Sequence, residues 1–314
     1  MIPGLQHKRL RSFDGTEIAY QVRGRGPAVV LANGLGGFYE AYRPVYDALG
    51  DDYRVICWDY RGIFRSGEPR DRKTLAVPYH CDDLEHILDH EGVDRAVFVG
   101  WSMGVQVNLE YFRRYGGGRV DGLVAIGGTY GTPFRTVLSS RMIEHAIPLA
   151  LGALRAQAPL ANQATRTLAA WRGLIPTIKR LGLVSPDLDE ALFREVLAGF
   201  ATVDWRLYGE SLSYLGAHDA RDVLPRIDVP SLIVAGARDL LVPAFIAEEM
   251  HRAIPGSRLV VVEGGTHYML MEYPALFRDQ VLGFLSEVPG YEPRRAPADS
   301  GAPGGFDRAV GTDG

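Results

Sequence analysis

The stretch Ala96-Val-Phe-Val-Gly-Trp-Ser-Met-Gly104 contains the pattern G-x-S-x-G between two segments of different periodicity. The run before the motif is apolar and rich in β-branched residues, which is typical of a buried strand. Residues 103–115 have the apolar spacing of a helix. The motif therefore predicts a sharp strand-to-helix turn that raises Ser102 above a sheet. Glycines are expected at positions 100 and 104 because larger side chains would clash in so tight a turn.

On both sides of this turn, strand-like segments alternate with helical ones. Asp14-Gly15 predicts a hairpin at the start, and the later alternation favours a mostly parallel sheet with helices on both faces. The chain is therefore predicted to be an α/β protein. The eight expected strands are residues 8–13, 17–23, 28–32, 54–58, 95–99, 120–126, 231–235 and 258–262, and the expected helices are 79–90, 103–115, 244–254 and 274–287.

The alternation is interrupted by residues 133–221, which have only helical patterns rich in Leu and Ala. We interpret this segment as a helical insertion, with residues 1–132 and 222–288 forming one α/β core around it. From Pro289 onward the chain is rich in Pro, Gly, Ala, Asp and Arg and has little apolar bulk. Residues 289–314 are therefore expected to be a disordered tail.

Two further residues complete a chemical constellation with Ser102. A serine hydroxyl needs a histidine to accept its proton, and that histidine needs a carboxylate to hold the correct tautomer. Asp239 follows one expected strand and His267 follows the next. All three residues then lie at the carboxyl edge of the sheet, where open α/β sheets bind ligands. Ser102 is the expected nucleophile, His267 the general base and Asp239 the orienting acid.

The order Ser, Asp, His along the chain resembles the α/β-hydrolase superfamily, and the resemblance covers about residues 8–288. It implies an α/β-hydrolase fold with a helical cap between the sixth and seventh strands. Asn33-Gly-Leu-Gly-Gly37 stands where the family usually has His-Gly-x-Gly, which implies an oxyanion hole formed by the main-chain N–H groups of Leu35 and Met103. The segment 59–67 resembles the family's D-x-R-G-x-G-x-S motif, with Phe64 in place of a glycine.

The resemblance also implies an activity. A serine at position 102 implies an acyl-enzyme, unlike dehalogenase and epoxide-hydrolase relatives, which use aspartate there. The elbow sequence resembles that of bacterial carboxylesterases, so we expect hydrolysis of a carboxylic ester or thioester of a small or medium apolar substrate. Four alternatives stay open: a cofactor-free haloperoxidase or perhydrolase, a carbon–carbon bond hydrolase, a proline-iminopeptidase-like enzyme, and a ligand-binding protein without catalysis.

Composition and charge bear on partners and location. The chain has 34 Lys plus Arg against 38 Asp plus Glu, so no basic field favours nucleic acid. The most apolar run, residues 146–154, is interrupted by Pro148 and is too short to span a membrane. No export signal is visible, and Cys57 and Cys81 form no CxxC pair, so we expect a cytoplasmic protein with reduced thiols. The sequence leaves the oligomeric state open.

No metal or cofactor is expected. His86 and His90 have the i, i+4 spacing of a zinc helix, but Asp89 lies between them and no third ligand suggests itself, so a solvated helix face is favoured. The glycine runs match no phosphate-binding pattern.

The substrate pocket is less well defined by the sequence. The aromatic residues Trp101, Phe38, Tyr39, Tyr130 and Phe134 fit pocket and core equally well. The apolar stretches 147–154 and 168–171 of the insertion are expected to face the cleft, and charged acyl groups would need a cap arginine such as Arg135 or Arg166.

Overall fold

The computed structural model describes residues 2–50, 52–133 and 141–292. Its sheet has the strand order β1-β2-β4-β3-β5-β6-β7-β8, with β1 and β2 antiparallel to their neighbours and the other strands parallel. The predicted α/β fold with a mostly parallel eight-stranded sheet is therefore confirmed. The strands are β1 Gln6–Arg11, β2 Glu17–Arg23, β3 Ala28–Ala32, β4 Arg54–Trp58, β5 Ala96–Trp101, β6 Val120–Ile126, β7 Ser231–Gly236 and β8 Arg258–Val262.

The four helices predicted for the α/β core are present within two residues of their predicted bounds, and two further short core helices were not predicted. In the α/β core the described helices are α1 Arg43–Leu49, α2 Val77–Glu91, α3 Met103–Tyr115, α9 Ala244–Ala253, α10 Met269–Glu272 and α11 Pro274–Glu287; between β6 and β7 they are α4 Arg141–Ala156, α5 Ala158–Ala170, α6 Leu174–Arg180, α7 Glu190–Phe200 and α8 Trp205–Ala217. The first strand ends before the predicted Phe13, because Ser12 and Gly15 already form the hairpin turn.

Both faces of the sheet are covered. Every residue of β5 is buried, as expected for a central parallel strand. Phe98 belongs to the apolar cluster that contains α2 and α3, whereas Val97 and Val99 belong to the opposite cluster, with α1 and α11. This alternation along one strand places helices on both faces and leaves the carboxyl edge of the sheet for the site.

The helical insertion leaves and rejoins the core at one place. Gly131 forms a β-bridge with Asp219, and the N–H of Thr132 donates to the carbonyl of His218 at 2.8 Å. The insertion is therefore connected by two adjacent chain segments. Its exact bounds, residues 133 and 221, stay a prediction.

The end of the described chain packs against the core. Tyr291, in the predicted tail, is buried; its hydroxyl donates to the carbonyl of Ala28 at 3.0 Å, and its own carbonyl accepts from the Tyr53 hydroxyl at 2.7 Å. Residues 293–314 of the predicted tail lie outside the described residues. Across the part of the chain that is described, no helix combines the length and apolar character needed to cross a bilayer.

The glycines of the strand-to-helix turn are required by close contacts. A Cβ on Gly100 would lie 2.6 Å from the main chain of Gly104, and a Cβ on Gly104 would lie 2.0 Å from the carbonyl oxygen of Ala32. Both distances are far below van der Waals contact, and the neighbours are backbone atoms that cannot rotate away. The clash expected from the sequence is therefore present at both positions.

We expect Gly104→Ala to lower the free energy of unfolding by about 1–3 kcal/mol or more, because the added methyl must displace β3. The matched control is Gly152→Ala in α4, where a Cβ meets no atom within 4 Å. That change should be neutral or stabilise the protein by up to about 1 kcal/mol, since alanine favours helix. Urea unfolding of both variants measures the difference, and equal midpoints would contradict the contact argument.

Candidate active site

Ser102 lies at the apex of the turn between β5 and α3. Its φ of 55° is in the left-handed region, which only a few non-glycine residues occupy. Its N–H donates to the carbonyl of Ile126 at 3.0 Å, which ties the turn to the end of β6. The serine side chain makes no capping hydrogen bond with α3, so its hydroxyl is available to another partner. Strain of this kind concentrates at functional sites.

The structure brings Ser102, His267 and Asp239 together in one hydrogen-bonded row. Ser102 Oγ lies 3.0 Å from His267 Nε2, and His267 Nδ1 lies 2.9 Å from Asp239 Oδ2. With Nδ1–H donating to the carboxylate, Nε2 of a neutral histidine is free to accept the serine proton. His267 and Asp239 are 8% and 4% exposed, which keeps bulk water from competing for these bonds.

The orientation of Asp239 is set by its own loop. Its Oδ1 accepts hydrogen bonds from the N–H groups of Leu241 and Val242, both at 2.8 Å. The other oxygen, Oδ2, is thereby directed toward His267. Gly127 lies next to this pair, and a Cβ there would come 3.5 Å from Asp239 Oδ2 and 3.8 Å from His267 Nδ1. Its φ of 50° is also left-handed, so a side chain at this position would be strained.

The loop that carries His267 is held by Trp101 and Glu272. Neither residue was predicted from the sequence to support this loop. The indole N–H of Trp101 donates to the carbonyl of His267 at 3.0 Å. The buried carboxylate of Glu272 accepts from the N–H and hydroxyl of Thr266, at 2.8 and 2.6 Å, and from the N–H of Ser185 at 2.8 Å. The same carboxylate therefore fixes the histidine loop and connects it to the helical insertion.

The loop predicted to form an oxyanion hole is a tight turn beside Ser102. The N–H of Gly37 donates to the carbonyl of Gly34 at 2.8 Å, and Gly36 has a φ of 75°. The N–H of Leu35 is not used in closing this turn. Met103 is the first residue of α3, so its N–H has no acceptor within the helix. That both groups bind an oxyanion remains a proposal.

Buried tyrosines hold this loop from behind. The hydroxyl of Tyr60 donates to the carbonyl of Asn33 at 2.7 Å, and that of Tyr42 donates to the carbonyl of Ala32 at 2.8 Å. Asn33, which replaces the usual histidine, is 1% exposed, and its amide lies 3.1 Å from the sulfur of Cys57. The side chain of Asn33 therefore supports the loop and does not line the cleft.

The segment 59–67 has a backbone conformation and a buried ion pair that the sequence pattern does not show. Phe64 occupies the usual glycine position with a φ of 50°, a conformation that favours glycine. Asp83, an acidic residue of α2, is fully buried and accepts from Arg61 Nε at 2.9 Å. The helical periodicity of α2 cannot reveal this pair, because its cation comes from a distant loop. Burial also raises the pKa of Asp59 to about 7.

A cavity of about 540 Å³ opens beside Ser102 and His267. Its walls are mostly apolar, and among the described lining residues none is Asp, Glu, Lys or Arg. The lining comprises the loop 34–37, Trp101, Ser102, Pro133, Phe193, Val196, Leu197 and Phe200 of α7, Tyr208, Leu212 and Leu215 of α8, Leu241, Val242, His267 and Tyr268. This size is typical of small-molecule sites.

The described side chains of the stretches expected to face the cleft, residues 149–154 and 168–171, do not line it. Leu154 and Leu168 line a separate surface groove with Trp205, and Trp171 is half exposed. The cleft is covered by α7 and α8 instead, because Phe200 and Tyr208 pack directly on Gly36.

The remaining residues that the sequence suggested for the pocket or for a metal site can be located relative to the cavity. Of the five candidate aromatics, Trp101 lines the cavity, Phe38, Tyr39 and Tyr130 pack elsewhere, and Phe134 lies outside the described residues, as does Arg135. Arg166 does not line the cavity. His86 and His90 are exposed, and the described part of the chain holds no group of three or more potential metal ligands.

Comparison with known proteins finds one matching family and several similar proteins. The profile of the alpha/beta hydrolase fold family matches residues 27–274. An uncharacterized protein of Mycobacterium tuberculosis is 28% identical over 88% of this chain and 80% of its own length. A protein of Azorhizobium caulinodans, whose name provisionally assigns it as a carbamate hydrolase, is 26% identical over 87% of this chain and 96% of its own length. An esterase from Exiguobacterium antarcticum superposes with a TM-score of 0.73 at 23% identity, over 89% of this chain and 99% of its own.

Proposed function

The chain belongs to the alpha/beta hydrolase fold family, and on that premise we propose that it is a serine hydrolase of carboxylic esters or thioesters with a small or medium apolar group. The observation that carries this proposal is the row Ser102–His267–Asp239, with bonds of 3.0 and 2.9 Å at the wall of an apolar cavity. Each member has the partner that nucleophilic catalysis requires of it.

The reaction follows from these positions. Ser102 attacks the ester carbonyl while His267 Nε2 takes its proton, and the N–H groups of Leu35 and Met103 stabilise the resulting oxyanion. The imidazolium then protonates the leaving alcohol or thiol, and an acyl group remains on Ser102. Water, activated by the same nitrogen, releases the carboxylic acid. Asp239 stabilises the imidazolium in both steps without taking its proton.

The chemistry of the cavity also helps to distinguish the alternative functions. An aminopeptidase binds a substrate with a charged amino group, which needs a charged partner in the cavity. No such side chain occurs among the described lining residues, which favours an uncharged substrate. A non-catalytic binding protein would have no use for a strained serine with a φ of 55° beside an oriented histidine. The perhydrolase and carbon–carbon bond hydrolase alternatives use the same residues and are separated by experiment.

Labelling with a fluorophosphonate probe tests the proposal, because the probe reacts with activated serines. We expect stoichiometric labelling of the wild-type protein at Ser102. We also expect turnover within a panel of p-nitrophenyl esters, thioesters, an anilide, a carbamate and a vinylogous diketone, with perhydrolysis measured as bromination in the presence of hydrogen peroxide, acetate and bromide. Highest kcat/KM on the esters or thioesters supports the proposal. Absence of labelling, or turnover confined to another member of the panel, would overturn it.

The apolar walls lead to a prediction about chain length. Each buried CH₂ contributes about 0.8 kcal/mol, close to fourfold in binding. We therefore expect kcat/KM on p-nitrophenyl esters to rise from acetate to a medium acyl length and to fall once the cavity is filled. Succinyl and other charged acyl groups should be poor substrates.

A cavity-filling variant makes this prediction specific to α8. Leu212→Trp narrows the cavity and should move the optimum to shorter acyl chains, whereas Leu160→Trp, at a position 63% exposed on α5, should leave the profile unchanged. A flat profile from two to twelve carbons would show that this cavity does not bind the acyl group.

A further inference from the structure

Two phenol hydroxyls interrupt the apolar wall of the cavity. Beyond Ser102, His267 and Trp101, whose polar atoms already have partners, Tyr208 and Tyr268 are the described lining residues with polar side chains. Neither hydroxyl has a hydrogen-bond partner within the described part of the chain. Neither hydroxyl oxygen is one of the fully buried polar atoms that lack a partner. Both oxygens therefore contact open space, and because both residues line the cavity, this space is the cavity.

The two rings approach the reacting centre from different sides. Tyr208 lies on the side of the oxyanion loop: it packs on Gly36, and its ring centroid is 5.3 Å from that of Phe200. Tyr268 lies on the side of the general base, with ring centroids 5.9 Å from His267 and 5.1 Å from Phe193. Burial raises the pKa of both phenols; the nearby Tyr268 hydroxyl adds to this effect on Tyr208, and the carboxylates of Asp239 and Glu272 add to it on Tyr268.

Packing alone does not account for these hydroxyls. Phenylalanine would fill the same space at both positions without bringing an unpaired polar group into an apolar wall. A polar group in such surroundings is costly unless it is hydrogen-bonded, so buried hydroxyls normally have a partner. In this cavity that partner is water in the free protein and a polar group of the ligand in the complex. An uncharged group is favoured, because the described lining residues include no Asp, Glu, Lys or Arg to balance a charge.

Resting on the proposed hydrolase function, we propose that Tyr208 and Tyr268 form a polar subsite and that the substrate is an uncharged ester or thioester with a second oxygen function. This oxygen, a ketone, hydroxyl or ether, is separated from the scissile carbonyl by a short carbon chain. The hydroxyls bind this distant oxygen, while Ser102 and His267 act on the ester.

Matched esters that differ by one carbonyl test this subsite. For the acyl side, we compare p-nitrophenyl hexanoate with its 4-oxo and 5-oxo analogues; for the alcohol side, pentyl butyrate with 4-oxopentyl butyrate. Each kcat/KM is divided by the rate of hydroxide hydrolysis, which removes differences in intrinsic reactivity. We expect at least one oxo ester to be preferred by about tenfold in the wild-type enzyme, as one or two added hydrogen bonds would give.

The variants Tyr208→Phe, Tyr268→Phe and their double should reduce this preference, and the double should bring the ratio close to one. The ratio is measured on one enzyme preparation, so partial misfolding does not change it. Tyr214→Phe removes a hydroxyl from the same helix outside the cavity and should retain the wild-type ratio.

Two results would overturn the subsite: wild-type ratios below twofold in both series, or a preference that the double variant keeps. Both are seen with an enzyme that hydrolyses the plain esters, so they leave the proposed function intact. Failure of the proposed function itself looks different, because neither plain nor oxo esters would then be hydrolysed and the fluorophosphonate would not label Ser102.

Discussion

Replacing Ser102 by alanine should abolish hydrolysis while the protein stays folded. Loss of the nucleophile in a serine protease costs about 10⁶ in kcat, and we expect a similar loss here, because the remaining groups only polarise the carbonyl and position water. The hydroxyl makes one hydrogen bond, to His267, and contributes little to packing, so the melting temperature should change by a few degrees at most. Ester hydrolysis, fluorophosphonate labelling and thermal melts measure the three expectations.

The double variant Ser102→Ala/His267→Ala sharpens this prediction. Because the hydroxyl and the imidazole act in the same proton transfer, removing both should cost scarcely more than removing either one. Fully additive losses would show that the two residues act separately. Wild-type turnover in Ser102→Ala, with a normal melting curve, would exclude an acyl-enzyme on this residue.

Replacing Asp239 by asparagine should lower kcat by about 10⁴, by analogy with the same change in serine proteases. The amide oxygen can still accept from the N–H groups of Leu241 and Val242, so the loop should keep its shape. The amide nitrogen then faces His267 Nδ1 and can only donate to it. This favours the tautomer with the proton on Nε2, which cannot accept the proton of Ser102.

A second aspartate provides the control for this change. Asp71 also accepts a main-chain N–H two residues ahead, from Lys73 at 3.0 Å, but lies outside the cavity lining. Asp71→Asn should retain wild-type kcat. Initial rates on one ester across pH 6–9 measure both variants, and a loss under tenfold in Asp239→Asn would assign the acid to another residue.

The sheet and the position of Ser102, the candidate nucleophile, could be predicted because their signals are local. Apolar runs of strand length, the helical spacing of residues 103–115 and the two glycines of the turn each act within a few neighbouring residues. The placing of Asp239 and His267 followed from a general property of parallel sheets, since the carboxyl ends of their strands share one edge. In the structure, the carboxyl ends of these strands lie at the edge of the sheet that the alternation of strands and helices predicts.

The lining of the cleft was decided only by tertiary structure. The composition of the insertion indicates apolar helices, but not which of them cover the site. Helices α7 and α8 do so, whereas the described side chains of the expected stretches 147–154 and 168–171 do not line the cavity. The partner of Asp83 and the docking of Tyr291 were likewise hidden, because each joins segments far apart in the chain. Periodicity shows which face of a helix is apolar, whereas the choice among several apolar partners depends on the packing of the whole molecule. For this reason the amino-acid sequence by itself determined the α/β scaffold and indicated the candidate site residues, and only the tertiary structure placed Tyr208 and Tyr268 beside them.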